Sequence, residues 1–294
     1  MGITLNWIKA KIGIMHNLLK LEDQIANLLS FVVGAILAQG NIQIWNLNFL
    51  YAGISTISCL FGSNLINQIT DIETDKINKP HRPLVSGKIS INEAAVLTFI
   101  FYAAAIFFGF LAGEKIFFLS ITYCALGIMY SVKPIRLKDR LLLSNITIAI
   151  AYNCINFLIG WSIFKSTEFA PYPLIALMFV YDIIAINSKD YPDVEGDLKN
   201  GAKTLPVMLG LERALRLDFI LQLLAQVVFI VLSQINVIPR YISVISTILF
   251  IGNLIIYTDV EKNRNYTRFY YMAFGMHIII RLTIMIMFMT GYIN

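Results

Sequence analysis

The chain is expected to be an all-α, polytopic membrane protein of nine transmembrane helices. The expected arrangement is two four-helix halves plus one further helix. Three observations support this. First, of its 294 residues, 57% are hydrophobic and 14% are charged, against roughly 25% charged in soluble domains. Second, apolar runs long enough to span a bilayer recur from end to end. Third, the basic residues segregate. Nineteen of the 23 Lys and Arg fall in the N-terminal segment and the even-numbered linkers, and Lys115, Lys165 and Arg240 fall in the others. Arg281 sits inside the last span.

The spans are expected at about 24–39, 47–69, 93–111, 115–131, 141–164, 173–188, 215–236, 241–257 and 269–292. The linkers after the second, fourth, sixth and eighth are charged and mostly long; the others are short and nearly neutral. Residues 1–20 carry Lys9, Lys11 and Lys20 with no apolar core leading to a small-residue cleavage site. They are expected to remain as a cytoplasmic segment. The positive-inside rule then puts the N-terminus and linkers of about 70–92, 132–140 and 189–214 in the cytoplasm of a multi-pass protein of the cell membrane. The net charge of +5 follows from this topology, and nucleic acid is not an expected partner. The whole chain, 1–294, reads as one domain. Cys59, Cys124 and Cys154 lie inside apolar runs, unpaired by spacing, and read as small buried hydrophobes.

The second span ends in NQITDIETD (67–75) and the sixth in DYPDVEGD (190–197). Because these spans are four apart in order, the halves are expected to have similar roles. Asn67, Asp71 and Asp75 recur every four residues, so a helix aligns them on one face. Such hard oxygen donors suit Mg²⁺, which usually shares its shell with substrate phosphate. An acidic helix end facing solvent is the plainer alternative. The next residues, KINKPHRPLVSGK (76–88), read as an ordered turn, stopped by Pro80 and Pro83 and turned by Gly87, that brings Lys79, Arg82 and Lys88 toward the carboxylates.

Asp190, Asp193 and Asp197 share a face if the turn at Pro192 permits it. Gly196 and Gly201 allow tight backbone near a ligand, and Lys189 and Lys203 add positive charge. YSVKPIRLKDR (130–140) is a compact basic linker. Lys133, Arg136, Lys138 and Arg140 read individually as topology signals and together as phosphate ligands. Within the spans, Asn145, Asn153, Asn156, Asp182, Asn187, His277 and Arg281 are polar. The asparagines are expected to bond between helices. Asp182, two turns before Asp190, extends the polar wall inward, and Arg281 reads as a counter-ion for such an acid.

NQITDIETD with KINKPHRPLVSGKIS, YSVKPIRLKDR, and KDYPDVEGDLKNGAKTLPV together resemble the UbiA-type intramembrane prenyltransferases, over nearly the whole chain. The resemblance implies a helical bundle around a central cavity that opens sideways to lipid. By motif position, Asn67, Asp71, Asp75, Asp190, Asp193 and Asp197 would hold Mg²⁺ as cofactor and a polyprenyl diphosphate donor. The five aspartates and Tyr130 would serve catalysis. Lys79, Arg82, Lys133, Arg136, Lys138, Lys189 and Lys203 would bind the diphosphate. Asp23, or Asn27, would stand where the family carries a polar element on its first helix.

The implied reaction moves a prenyl group, with geranylgeranyl expected, to a lipophilic acceptor and releases pyrophosphate. DVEGDLKNGAKTLP is similar to the digeranylgeranylglyceryl phosphate synthase branch, so geranylgeranylglyceryl phosphate is the first expected acceptor. An aromatic acceptor (homogentisate, hydroxybenzoate, a chlorin or a haem precursor) is the alternative. A cation-coupled transporter is the alternative of another class. It is opposed by acids clustered at one membrane face and by few ionisable groups at mid-depth.

Overall fold

The computed structural model describes residues 13–293, apart from the side chains of Glu22 and Asp23. The expectation for the N-terminal segment lies mostly outside these residues. All the regular structure described is helical, with one isolated bridge between Arg140 and Lys203.

The helices are α1 (Leu21–Gln39), α2 (Leu47–Thr70), α3 (Ile72–Asn78), α4 (Ile91–Ala112) and α5 (Glu114–Ser131). Next come α6 (Leu141–Ser162), α7 (Tyr172–Asp190), α8 (Val194–Lys199) and α9 (Leu205–Leu209). The last three are α10 (Leu211–Gln234), α11 (Tyr241–Asn263) and α12 (Tyr266–Met289). Helices stand at each of the nine expected positions among the described residues.

Seven of these helices are long and apolar enough to cross a membrane. They become eight if Gly13–Leu19 and Gln24–Gln39, bent by 64° to one another, form one broken span. The sequence expectation was nine. The helix that falls short is α5, which has only 18 residues, two of them the opening Glu114 and Lys115.

Local chemistry sets the helix ends. Asn46 caps α2 by accepting from the Phe49 amide. Ser90 and Glu93 close a reciprocal capping box on α4. Gly40, at φ 80°, ends α1 with its amide on the Ile36 carbonyl. α3 stops before Pro80, as the prolines predicted, but the single helix expected to carry Asn67, Asp71 and Asp75 is broken at Asp71, between α2 and α3.

Two large apolar clusters form most of the core, beside a smaller one of Leu18, Leu19, Leu65, Leu84 and Ala94. One gathers Phe31, Cys59, Leu60, Ala105, Ile116 and Ile159 from α1, α2, α4, α5 and α6. The other gathers Val33, Phe157, Leu174, Leu177, Ile245 and Ile280 from α1, α6, α7, α11 and α12. Two halves are therefore visible, but α1 and α6 serve both. These two helices meet at glycines: a Cβ at Gly34 would collide with the Phe157 carbonyl, and one at Gly160 with the Phe31 carbonyl. Cys59 and Cys124 are buried free thiols, as expected, whereas Cys154 is half-buried.

The intramembrane asparagines do bond between helices. Asn145 donates to the Ile183 carbonyl at 2.9 Å and to Asn187 at 2.6 Å. Asn187 donates to Asp218 at 2.6 Å, and the Tyr191 hydroxyl donates to the other Asp218 oxygen at 2.7 Å. This chain of bonds pins α6, α7 and α10 beneath the second acidic motif. Asp218 was not singled out in the sequence.

Candidate active site

A cavity of about 1230 Å³ runs from the three charged linkers into the bundle. It is larger than the ~300–1,000 Å³ usual for small-molecule sites. Asn67, Asp71 and Asp75 line it from the α2–α3 junction; Asp190, Asp193 and Asp197 line it from the end of α7 and from α8. Lys79, Arg82, Tyr130, Lys133, Arg136, Lys138 and Lys189 line it as well. Thirteen of the expected site residues thus share one space.

Two do not join them. Lys203 is absent from the lining; it sits in the bridge with Arg140, between Ala202 and Thr204, which do line the cavity. The Asp23 side chain lies outside the described residues, and its alternative, Asn27, does line the cavity.

The two acidic motifs are tied directly to each other. Asn78 at the end of α3 donates to the Asp193 carbonyl at 2.9 Å and accepts from the Gly196 amide at 2.9 Å. A Cβ at Gly196 would collide with the Asn78 side-chain amide, so this contact by itself favours a glycine here. Lys79 completes the link with an ion pair to Asp193.

Each acid except Asp197 has a basic partner. Arg136 reaches Asp71 at 3.0 Å and Asp139 at 2.8 Å. Arg82 pairs with Asp75, and Lys189 with Asp190 at 2.7 Å. Lys133 is exposed and makes no ion pair or hydrogen bond among the described residues. Lys79, Arg82, Arg136 and Lys189, all expected to serve phosphate, thus hold the carboxylates.

Burial and charge perturb these groups. Burial outweighs the Arg82 guanidinium and lifts the Asp75 carboxyl above its ordinary value. Asp197 is pushed up to about 7, chiefly by burial and then by the Asp190 and Asp193 carboxylates. Burial lowers Lys138 against the pull of Asp71.

No three Asp, Glu, His or Cys side chains converge as a metal cluster among the described residues. The reason is visible at Lys138. Its ammonium bonds to Asn67 Oδ1 at 2.9 Å, Thr70 Oγ1 at 3.0 Å and Asp71 Oδ1. A cation therefore already sits in a cage of hard oxygens, and that donor chemistry fits Mg²⁺. Thr70 is a cage member that its position in the motif did not reveal.

Deeper in, the lining changes to Tyr123, Tyr152 and Phe274, with a charged group of Asp182, His277 and Arg281. His277 pairs with Asp182, while the hydrogen bonds of Arg281 go to neutral acceptors and Asp182 acts on it through its charge alone.

Comparison with known proteins follows this geometry. A family model described as "UbiA prenyltransferase family" matches residues 27–278. The digeranylgeranylglyceryl phosphate synthase of Sulfurisphaera tokodaii is 29% identical, over 67% of this chain and 69% of that protein. The 2-acyl-4-prenylphloroglucinol 6-prenyltransferase of Humulus lupulus is 36% identical, over 60% of this chain but only 46% of its own length. A UbiA homologue from Archaeoglobus fulgidus, solved with GPP and Mg²⁺, superposes with a TM-score of 0.70 at 23% identity, covering 92% of this chain and 98% of that one. The last shows a common fold.

Proposed function

Because this chain belongs to the UbiA prenyltransferase family, we propose that it moves a polyprenyl group, geranylgeranyl first, from its diphosphate to geranylgeranylglyceryl phosphate. The observation that carries this reading is the convergence of both acidic motifs, with their basic partners, on one large cavity. The reaction class follows from the family. The choice of acceptor is supported by the similarity to digeranylgeranylglyceryl phosphate synthases. An aromatic acceptor is the second reading, favoured by the 36% identity to the hop enzyme. Membership of a prenyltransferase family makes the chain an enzyme, and the transporter alternative is set aside.

Asn67, Asp71 and Asp75 on one wall and Asp190, Asp193 and Asp197 on the other would hold Mg²⁺, which supplies a Lewis acid to neutralise the leaving diphosphate. Lys79, Arg82, Lys133, Arg136, Lys138 and Lys189 bind the diphosphate oxygens and stabilise the charge that grows on them. Lys133, unpaired and exposed, makes the first contact. As the C1–O bond breaks, its electron pair leaves with the diphosphate. Tyr123, Tyr152 and Phe274 keep water from the allylic cation and present π-faces to it. Tyr130, between the motifs, orients the leaving group. The acceptor's nucleophile then bonds to C1, and its proton departs. We also infer nine crossings, with the cavity mouth cytoplasmic, from the nine helix positions and the segregation of basic residues.

The test is an acceptor panel with purified protein in nanodiscs, Mg²⁺ and radiolabelled geranylgeranyl diphosphate. A labelled diether phosphate is the expected product. A prenylated phenol would keep the mechanism and move the acceptor to the aromatic class. Failure to release pyrophosphate with any acceptor would overturn the reading.

A further inference from the structure

The inner end of the cavity carries a charged group that the diphosphate chemistry leaves unused. Asp182 on α7 and Nδ1 of His277 on α12 are 2.8 Å apart, with side chains only 4% and 13% exposed. Both line the cavity, as does Arg281 one turn further along α12. Asp182 precedes Asp190 by eight residues, about 12 Å of helix. It therefore sits below the acidic mouth and touches none of the carboxylates there.

Charge balance defines the state of this group. The Arg281 guanidinium donates to Ser30 Oγ at 2.6 Å, to the His277 carbonyl at 2.7 Å and to Asn153 Oδ1. All three acceptors are neutral, so the nearby Asp182 carboxylate is the charge that balances it. Buried charges need such a counter-charge. With Arg281 and Asp182 balanced, the imidazole is the neutral member. Its Nδ1–H donates to Asp182, and the lone pair lies on Nε2. No described residue bonds to Nε2, and the Tyr181 ring packs edge-on against the imidazole at 5.2 Å. A neutral histidine, oriented by a carboxylate and facing the cavity, is placed to accept a proton.

We propose that Nε2 of His277 receives the hydroxyl of the acceptor substrate and takes its proton as the new bond to the prenyl carbon forms. Asp182 holds the ring and stabilises the imidazolium. The proposal rests on the prenyltransferase reading above. The step balances: the O–H proton passes to Nε2 and an acceptor electron pair bonds to C1. The C1–O pair departs with the diphosphate, and the imidazolium later returns its proton to water. The shared chemistry is a hydroxyl. It belongs either to an alcohol alkylated on oxygen or to a phenol whose ring carbon attacks as the hydroxyl loses its proton.

The test uses His277→Gln and Asp182→Asn in the full chain with Mg²⁺, geranylgeranyl diphosphate, and an alkylglycerol phosphate or a hydroquinone, whichever the wild type prenylates. Each acceptor is paired with a fluorinated counterpart whose hydroxyl is more acidic. A general base contributes about 10²–10⁴-fold, so His277→Gln should lose at least about 10²-fold in transfer, and Asp182→Asn less. Donor-analogue binding should hold in both variants and the melting temperature in His277→Gln, whereas Asp182→Asn, which leaves Arg281 without its counter-charge, should melt lower. The loss relative to wild type should shrink with the more acidic hydroxyl, which a purely structural role would not produce. Transfer by His277→Gln within about threefold of wild type, or a loss equal for both acidities, overturns the proposal. A wild type that prenylates neither acceptor class overturns the parent reading and this one with it.

Discussion

Arg82→Met tests whether the first acidic motif is held together by its own base. The Asp75 and Arg82 side chains are 6% and 11% exposed, so the pair is buried. Breaking a buried pair from one side costs about 3–5 kcal/mol, because the remaining charge stays desolvated without a partner. Lys79 also lowers the Asp75 carboxyl, which places the expected loss near the lower end, about 3 kcal/mol. Methionine fills similar volume, so little of this loss is packing. The pH dependence has a definite sign. Asp75 already titrates above its ordinary value, and losing Arg82 raises it further. An acid raised in the folded state stabilises the fold at low pH and loses that contribution as pH rises. The deficit of Arg82→Met should therefore be smallest near pH 4 and grow toward pH 8. The assay is unfolding in mixed detergent–SDS micelles without metal, at both pH values. The double variant Arg82→Met with Asp75→Asn should recover most of the loss. A deficit below about 1 kcal/mol, or a double variant no better than the single one, would refute the reasoning.

The other expectations follow from the same geometry. Asp193→Ala should leave a helical, monodisperse protein by circular dichroism and gel filtration with less than about a hundredth of wild-type turnover, the scale of losing a group that stabilises transition-state charge; near-normal rates would sink the two-walled site. Asp197, at about 7, must lose its proton to bind a cation. Mg²⁺ affinity by calorimetry should weaken from pH 8 to pH 6, and Asp197→Asn should flatten that slope. Gly160→Val drives side-chain carbon into the Phe31 carbonyl and should cost about 1–3 kcal/mol or more, read as a lower thermal aggregation temperature. Lys203→Ala should keep turnover within about threefold, since its side chain lies off the cavity lining and surface changes are usually small.

The parts of this molecule legible in its sequence are those written in short-range periodicity. Asn67, Asp71 and Asp75 recur every helical turn at the end of an apolar run, and they do share one wall. The nine helix positions follow from apolar length. Pairing across the chain left no such trace. Asn78 belongs to a linker whose prolines drew attention, yet it joins the two motifs. Asp218, close behind Arg213 and Arg216, carries no local mark in the sequence of its role as the acceptor for Asn187 and Tyr191. Asp182 and His277 each stood out as polar among apolar residues, but only folding across 95 positions pairs them. Lys203 stands apart from the other motif bases: Ala202 and Thr204 line the cavity, while Lys203 is exposed and its backbone forms the isolated bridge with Arg140.

The interleaving of acids and bases in the same short linkers has a physical explanation. Five carboxylates gathered at one cavity mouth would repel one another. Four of them are matched by Arg136 and Lys138, Arg82, Lys189 and Lys79. The fifth, Asp197, has no such partner and titrates near 7 instead. The mouth is thus close to neutral by its own means. On the proposed function, a cation held by the carboxylates would free the basic side chains, and a diphosphate would give them new partners. Binding would then exchange one set of ion pairs for another without creating buried charge afresh. The desolvation cost has already been met in folding, and the dipoles need little reorganisation when charge grows on the leaving oxygen. Lys138 shows the exchange most directly, because its ammonium occupies the Asn67–Thr70–Asp71 oxygens that a divalent cation would use. A base placed elsewhere in the chain could neutralise phosphate, but only one next to the acids can also offset their mutual repulsion.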